Sequence, residues 1–579
     1  MKFTKTKIMA AVWLTVIVLA GLFLRVYHFD DWMHFQLDQA RDAYVIDEAL
    51  EKGISHLPLL GPRAAGSFLR LGPAFYYIEY LSARIGKIFQ QPVPVGMAYG
   101  DLVLGVLSII IFYWFLRRYF NRNMSLALSA VYASSLFLVL YARFSWNPNL
   151  LPFFIPLTFY ALLKATDADE KKPQYWFYLS VFSLAIATQL HFLAFLALPI
   201  VFVVYLLIKR PQFSWKVYLT AAAIPVVIYS PVLINEIKTG GANTQQFFQA
   251  INEKSEQQEK HGWLNKTVRS LENQAEYTFL IISGWEGGRM PEIKQSSKGK
   301  IRIKCEEDCH QGLMGEILAI LIFFSGLILW IRNFWKVKKG PKKDFLLLTG
   351  IWWIISLILF TALAYKMAPR FFLLATPLAF ISLGFILVFL KKKMGEEKEW
   401  IFWMAVGIFI VSNLWFTHQR FQQLKLAKSQ DVEVRKDKIL KEKTRVTWEQ
   451  ENQIADYMKK YYQKNHFPVF RSGDPHYLRA LAYLLDKRKI LNQSMELNEI
   501  AQQGNYFYIK RTASGNKGLN KYLTKFILIS RKEFGTLTVY HLKPQARFIT
   551  RTKAKIKKKG VPGKSKSSAI RYQWKDIFR

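Results

Sequence analysis

The sequence predicts an all-α polytopic membrane bundle of about eleven transmembrane helices, followed by a small extracytoplasmic α/β domain and a basic tail. Three observations carry this expectation. Of 579 residues, 51% are hydrophobic and 16% aromatic, and they gather in blocks of about the 20 residues that a helix needs to cross a bilayer. Lys and Arg cluster in the short connections between blocks, and beyond residue 417 the blocks give way to charged, mixed patterns. A helical membrane bundle grows by adding spans, so residues 1–417 form one unit despite their number.

The blocks lie near 8–27, 96–116, 124–142, 149–165, 174–190, 192–208, 215–234, 312–332, 345–365, 371–390 and 399–417. The first follows "MKFTKTK" and runs longer than a signal-peptide core. No small-residue cleavage site precedes "RVYHFDD", which predicts a retained anchor. If the spans alternate, "MKFTKTK", "RRYFNRN", "KRPQFSWK", "RNFWKVKKGPKK" and "KKKMGEEKE" all fall on one side. Basic connections stay cytoplasmic. The expectation is a multi-pass plasma-membrane protein with a cytoplasmic N-terminus and outward loops 28–95 and 235–311. An odd span number also puts 418–545 and 546–579 outside, and long domains translocate largely regardless of charge.

The two cysteines, Cys305 and Cys309, lie in "CEEDC" of the second outer loop. An oxidising exterior permits a disulfide there. With only His310 beside them they make an incomplete metal-ligand set, so a structural pair is favoured. Residues 418–545 read as a charged helical linker, near 420–463, and then a small α/β domain with strands such as "YFYIK" and "LTVYHL". Residues 543–579 hold thirteen Lys or Arg and one acid, Asp576, within a chain of formal net charge +39. The stretch "KKKGVPGKSKSS" reads as disordered. Outside a membrane such a tail meets anionic lipid or an acidic polymer rather than nucleic acid. There is no P-loop, no glycine-rich dinucleotide fingerprint and no paired-Cys motif, which removes the commonest ATP-driven and redox activities.

The chemistry concentrates just after the first block, in "HFQLDQARDAYVIDEALEKG" at 34–53. Asp38 and Asp42, four residues apart, share one face of a helix. Like charges there need a cation nearby, and Arg41, Arg63 and Arg70 are available. Asp42 either faces water on the polar side of an interfacial helix or pairs with Arg41. Asp38 sits at the membrane boundary, where an ionisable group is costly unless it is used.

The longer stretch "LDQARDAYVIDEALEKGISHLPLLGPRAAGSFLRLGPAFYYIEYL" resembles the first outer loop of the GT-C class of membrane glycosyltransferases, in the family of protein mannosyltransferases and aminoarabinose transferases. In that family an Asp-containing motif after the first span opens an interfacial helix, and a Pro-aromatic stretch like "GPAFYY" follows. "YKMAPRFFLLATPLAF" at 365–380 is similar to the family's basic-aromatic-proline pattern near a late span. The usual acidic pair is altered, since Gln39 follows Asp38 and the second acid arrives at Asp42.

The resemblance implies transfer of a sugar from a polyprenyl-phosphate donor to an acceptor lipid, glycan or protein, by an inverting-type displacement. Such a donor already has a good leaving group. What remains is to deprotonate an acceptor hydroxyl and stabilise the departing phosphate. Asp38 is the candidate base and Asp42 its companion. Arg63, Arg70, Lys366 and Arg370 are candidates for the phosphate, although Arg370 equally suits snorkelling to the head groups and Lys366 suits it better than phosphate binding. His191, in "ATQLHFLAF", falls at an outer turn where the cavity would open, and is either a turn residue or part of that cavity. Arg143 and Asn147, in "YARFSWNPN", sit at another outer end, with Asn147 suited to cap a helix before Pro148. Two acids on one face can bind Mg²⁺ or Mn²⁺ but fall short of a dedicated cage. The competing expectation is a transporter or flippase. Its signatures are inverted repeats and midplane charges, whereas the charges here gather at the outer boundary.

Overall fold

The computed structural model describes residues 5–64, 68–256, 262–286, 292–295, 301–304, 309–394, 399–432, 434, 437–515, 518–553 and 571–578. All eleven apolar blocks are helical. Helices α1 (Lys5–Val26), α2 (Leu37–Lys52), α3 (Ala74–Ile88), α4 (Val93–Leu116), α5 (Arg122–Ser134), α6 (Leu136–Tyr141) and α7 (Leu151–Ala165) come first. Then follow α8 (Pro173–Leu190), α9 (Phe192–Lys209), α10 (Trp215–Thr239), α11 (Ala242–Glu256) and α12 (Trp263–Ser283). The bundle closes with α13 (Cys309–Lys336), α14 (Pro341–Ala362), α15 (Thr376–Met394) and α16 (Glu399–Leu426). Among the described residues seven helices, α1, α4, α9, α10, α13, α14 and α16, are long and apolar enough to cross a membrane. The other blocks form α5 with α6, α7, α8 and α15, which are largely buried within the bundle.

Three details depart from the sequence expectation. The block at 124–142 breaks at Ser135, where Ser135 Oγ donates to the Ile281 carbonyl at 2.6 Å and Asn413 Oδ1 accepts from Leu136 N–H at 2.9 Å. The second bond satisfies the N–H that the break frees, and the first a carbonyl in the last turn of α12. The loop 235–311 contains α12, whose buried face packs against α13, α14, α15 and α16. Arg370 does not begin a span: Pro369–Leu374 is a 3-10 turn, and α15 starts only at Thr376, with Pro377 in its first turn. Proline suits that position because its missing N–H has no helical acceptor there. The Cys305–Cys309 pairing lies outside the described residues.

Of the helical linker expected near 420–463, the two ends are helical, in α16 and in α17 (Trp448–Asn465), while the described residues between them are not. Its charges turn inward instead. Arg445 pairs with Asp437 at 2.5 Å and Glu442 at 2.8 Å, and Arg420 with Asp437 at 3.2 Å. The α/β domain is borne out. After the hairpin β1 (Glu292–Gln295) and β2 (Ile301–Lys304) come β3 (Val469–Gly473), α18 (Pro475–Lys487), β4 (Asn492–Ser494), β5 (Ala501–Gln503) and β6 (Asn505–Arg511). Short α19 (Asn520–Leu523) precedes β7 (Phe526–Phe534), β8 (Leu537–Pro544) and β9 (Arg551–Lys553). The main sheet has the order β4-β3-β6-β8-β7, parallel around β3 and antiparallel around β8.

Both ends of the expected basic tail carry structure. β9 pairs in parallel with β5, and residues 571–578 return to the first loop. There Leu59 N–H donates to the Tyr572 carbonyl at 2.9 Å and Trp574 N–H to the Leu57 carbonyl at 3.2 Å. Composition marks the tail as basic, but Trp574 in "RYQWKDIF" packs half-buried against the bundle core.

Candidate active site

Helix α2 is held on two sides. Its buried residues include Ile46 and the small Ala40, Ala43 and Ala49, and it packs against α3 and α4. On another side it meets α18: the Tyr483 hydroxyl donates to Asp47 Oδ2 at 2.5 Å, Lys487 Nζ to Asp47 Oδ1 at 2.9 Å, and the Tyr44 hydroxyl to Asp486 Oδ2 at 2.5 Å. Gln39 has a capping role: its Oε1 accepts from Gln36 N–H at 3.1 Å.

Asp38 and Asp42 have different surroundings. Arg41 spans them, its Nη1 donating to Asp38 Oδ1 at 2.9 Å while Nε and Nη2 fork onto the two oxygens of Asp42 at 2.8 and 2.9 Å. The Tyr76 hydroxyl from α3 adds a bond to Asp42 Oδ1 at 2.8 Å. Asp42 is wholly buried, whereas 44% of the Asp38 side-chain surface is exposed. Burial works against the Arg41 charge, but Asp42, Tyr76 and Asp38 outweigh it and hold the guanidinium well above its ordinary value. Burial, with Asp42 beside it, pushes the Tyr76 phenol up to about 12. Asp42 therefore anchors Arg41, and Asp38 is the carboxylate open to a reactant.

The loop between α2 and α3 folds as a ladder: Gly61 N–H donates to the Leu71 carbonyl at 2.7 Å and Ala64 N–H to the Leu69 carbonyl at 2.8 Å. An added Cβ on Gly61 would lie 2.1 Å from the Gly72 carbonyl, so that position admits no side chain, and one on Gly72 would lie 2.1 Å from Gln189 Oε1 and displace it. The same Oε1 accepts from Ala74 N–H at 3.1 Å, capping α3. This is the structural content of "GPAFYY". The ladder also sets Arg63 and Arg70 opposite each other in an antiparallel bridge. Like charges in that relation destabilise a ladder unless an anion lies between them. The Arg70 backbone is clamped by Asn243 through bonds of 2.8 and 3.0 Å, and its Nη1 donates to the Gly61 carbonyl at 3.3 Å. Burial, with Arg571, Arg63 and Arg41 adding repulsion against the pull of Tyr76, lowers the Arg70 guanidinium to about 9. Arg63 is lowered by burial and then by Arg41 and Arg571. Among the described residues no carboxylate pairs with Arg63, Arg70 or Arg571.

Arg370 comes from the turn Pro369–Leu374, which packs against α7 and α9. Its guanidinium lies 5.2 Å from the Trp146 ring centroid and 5.3 Å from that of Phe371. Burial lowers it, while Tyr141 and Asp38 raise it, which brings Arg370 and Asp38 into one electrostatic neighbourhood. Lys366 is exposed. His191 caps α9, its Nδ1 accepting from Leu193 N–H at 3.2 Å, with its ring 5.4 Å from Phe371. Arg143 binds the carbonyls of Leu24, Arg25 and His28, closing the end of α1, and Asn147 Nδ2 donates to the last carbonyl of α8, that of Leu190.

Sequence reasoning passed over Glu79 and Asp101. Both are fully buried, and Ser145 Oγ donates to Glu79 Oε2 at 2.8 Å. Burial pushes Glu79 up to about 8. The signal was an acid within an apolar span, "YGDLVLG", and another among aromatics, "YYIEYL". Among the described residues no three His, Cys, Asp or Glu side chains converge as metal ligands. With Asp38 and Asp42 both engaged by Arg41, these residues do not form a divalent cation's ligand set.

Comparison with known proteins agrees with this architecture. Residues 72–235 match the family model of dolichyl-phosphate-mannose-protein mannosyltransferase. The chain is similar in structure to ArnT from Cupriavidus metallidurans in the apo state, with TM-score 0.52, 12% identity, and coverage of 93% of this chain and 99% of that one. The same protein bound to undecaprenyl phosphate aligns with TM-score 0.53 at the same identity and coverage. No curated protein matches in sequence.

Proposed function

We propose that this chain, which has the multi-pass fold of the GT-C membrane glycosyltransferases, transfers a sugar from a polyprenyl-phosphate-linked donor to an acceptor hydroxyl on a lipid, glycan or protein at the outer face of the plasma membrane. The acceptor oxygen attacks the anomeric carbon as the bond from that carbon to the phosphate oxygen breaks, inverting the centre. The polyprenyl phosphate leaves with the bonding electron pair, and the acceptor proton passes to Asp38. Arg63, Arg70 and Arg370 stabilise the charge that gathers on the departing phosphate. Arg41, fixed by Asp42, holds Asp38 in position through its bond to Oδ1.

The observation that carries this reading is the pairing of one accessible carboxylate with arginines that have no carboxylate of their own among the described residues. Asp38 lies within the electrostatic reach of Arg370, and Arg41 links it to the Arg63–Arg70 ladder. A general base beside an anion site is what sugar transfer from a phosphate donor requires.

Asp38→Asn keeps the shape and removes the basicity. With purified protein and a radiolabelled polyprenyl-phosphate sugar, transfer should fall by about 10² or more while donor affinity changes little. Undiminished transfer by a folded, donor-binding Asp38→Asn protein would remove Asp38 from the reaction.

A further inference from the structure

The last eight described residues of the chain end where the arginines gather. Tyr572 N–H donates to Asn235 Oδ1 at 3.1 Å, and the Tyr572 carbonyl accepts from Leu59. Pro58 and Gln573 form an antiparallel bridge. Trp574 Nε1 donates to the Tyr77 hydroxyl at 2.9 Å, and the Trp574 ring stacks on Phe578 with centroids 5.7 Å apart. The segment is thus attached by main-chain and side-chain bonds to the loop that carries Arg63 and Arg70, and to the helix that carries Tyr76. Its first residue, Arg571, places its guanidinium 5.6 Å from the centroid of the Tyr76 ring, the same ring whose hydroxyl holds Asp42.

We infer that residues 571–578 are a strap that completes the donor site, with Arg571 binding the phosphate of a polyprenyl monophosphate together with Arg63 and Arg70. This rests on the transfer reading above. The charge balance points the same way. Arg41, Arg63, Arg70 and Arg571 bring four positive charges against the two carboxylates of Asp38 and Asp42, both of which Arg41 occupies. Guanidinium groups lose solvation here without a paired carboxylate among the described residues, and such a cluster is stable once an anion neutralises it. The donor's phosphate is a diester with one charge and becomes a phosphomonoester with two as the sugar leaves it, and at both stages its acceptor oxygens match guanidinium forks in geometry as well as charge. Nothing in the position of Arg571 near the end of the chain suggests this from sequence: the nearest arginine partner is some five hundred residues away.

The test uses full-length protein in detergent, with undecaprenyl phosphate as probe and inorganic phosphate as competitor. Arg571→Gln should weaken undecaprenyl phosphate on the order of ten- to hundredfold, the scale for losing a charged hydrogen bond. Arg571→Lys should recover part of it, and Lys575→Gln, on the same strap but outside the cluster, should bind as the wild type does. Trp574→Ala, which frees the strap from Tyr77, should reproduce the Arg571→Gln loss with Arg571 still present. Inorganic phosphate should compete only weakly if the lipid chain contributes, and as well as the lipid if the phosphate alone is recognised. Both results keep Arg571 as a phosphate ligand, provided that Arg571→Gln weakens them. Binding by Arg571→Gln equal to wild type overturns the strap's role and leaves the transfer reading standing. Faster transfer on removing residues 571–579 overturns it too, by making the strap an obstruction. A wild-type chain that binds no undecaprenyl phosphate would end both readings together.

Discussion

Replacing Asp42 by Asn should separate stability from chemistry at two carboxylates one helical turn apart. The substitution keeps the volume and leaves an oxygen for the Tyr76 hydroxyl, but it removes the charge that both arms of Arg41 grip at 2.8 and 2.9 Å. Deleting one partner of a buried ion pair costs about 3–5 kcal/mol, because the other charge stays buried without compensation. Arg41 keeps 25% of its side chain exposed and retains Asp38 at 2.9 Å, so the loss belongs at the low end of that range, about 3 kcal/mol. Asp38→Asn breaks only a half-exposed pair and should cost less than about 1 kcal/mol. Unfolding of the two purified variants in parallel, followed by heat and by denaturant, reads the difference directly. Activity should run the other way, with the larger loss at Asp38 and a milder one at Asp42, where a loosened Arg41 still faces the base. Equal stability of the two variants would refute the assignment of Asp42 as the anchor. A greater loss of transfer at Asp42 than at Asp38 would show that the roles are reversed.

Arg370→Ala should weaken donor binding or slow donor departure, with Arg370→Lys recovering part because a point charge lacks the planar fork; unchanged kinetics in Arg370→Ala would leave only its packing on Trp146 and Phe371. Glu79 has a folded-state value raised by burial from 4.5 to about 8, so the native state holds a proton that the unfolded chain releases. Its contribution to stability is greatest below about pH 4.5 and is lost as the pH rises through 8. Glu79→Gln should flatten that decline in unfolding midpoints measured from pH 5 to 9, and parallel curves for the two proteins would contradict it. Cysteines introduced singly in residues 28–95 and in the α/β domain should react with a membrane-impermeant reagent on intact cells, whereas a cytoplasmic tag after Arg579 would make the span number even and the orientation wrong.

The apolar blocks were legible because a span is a local signal, about 20 residues read without reference to any other part of the chain. The strands at "YFYIK" and "LTVYHL" were legible for the same reason. Asp38, Arg41 and Asp42 could be placed on one helix, since spacing alone fixes the face. Which acid was buried could not be read, because the answer comes from Tyr76, on a different helix. Arg370 and Asp38 share a neighbourhood only through the packing of the turn at 369–374 against α7 and α9. Helix was expected through the middle of the linker, between Leu426 and Trp448, because its composition favours one. Its charges gain more from the paired network of Arg420, Asp437, Glu442 and Arg445 than from a solvated helical face. Arg571 was hidden by its surroundings in sequence, where the lysines around it outweigh the aromatic residues that dock it.

The clasp of α18 on α2 has a consequence for how the protein is made. Tyr483 and Lys487 reach Asp47 across 436 and 440 positions of sequence. A chain leaves the ribosome from its N-terminus, so α2 enters the membrane boundary long before its partners exist. Through that interval the helix bearing Asp38 lacks one of its two supports, and a nascent or truncated protein carries Asp38, Arg41 and Asp42 without that brace. Ribosomes that stall before residue 487, or proteases that nick the α/β domain, thereby leave embedded fragments with the spans intact and the helix unbraced. Completion of synthesis is itself the step that braces α2.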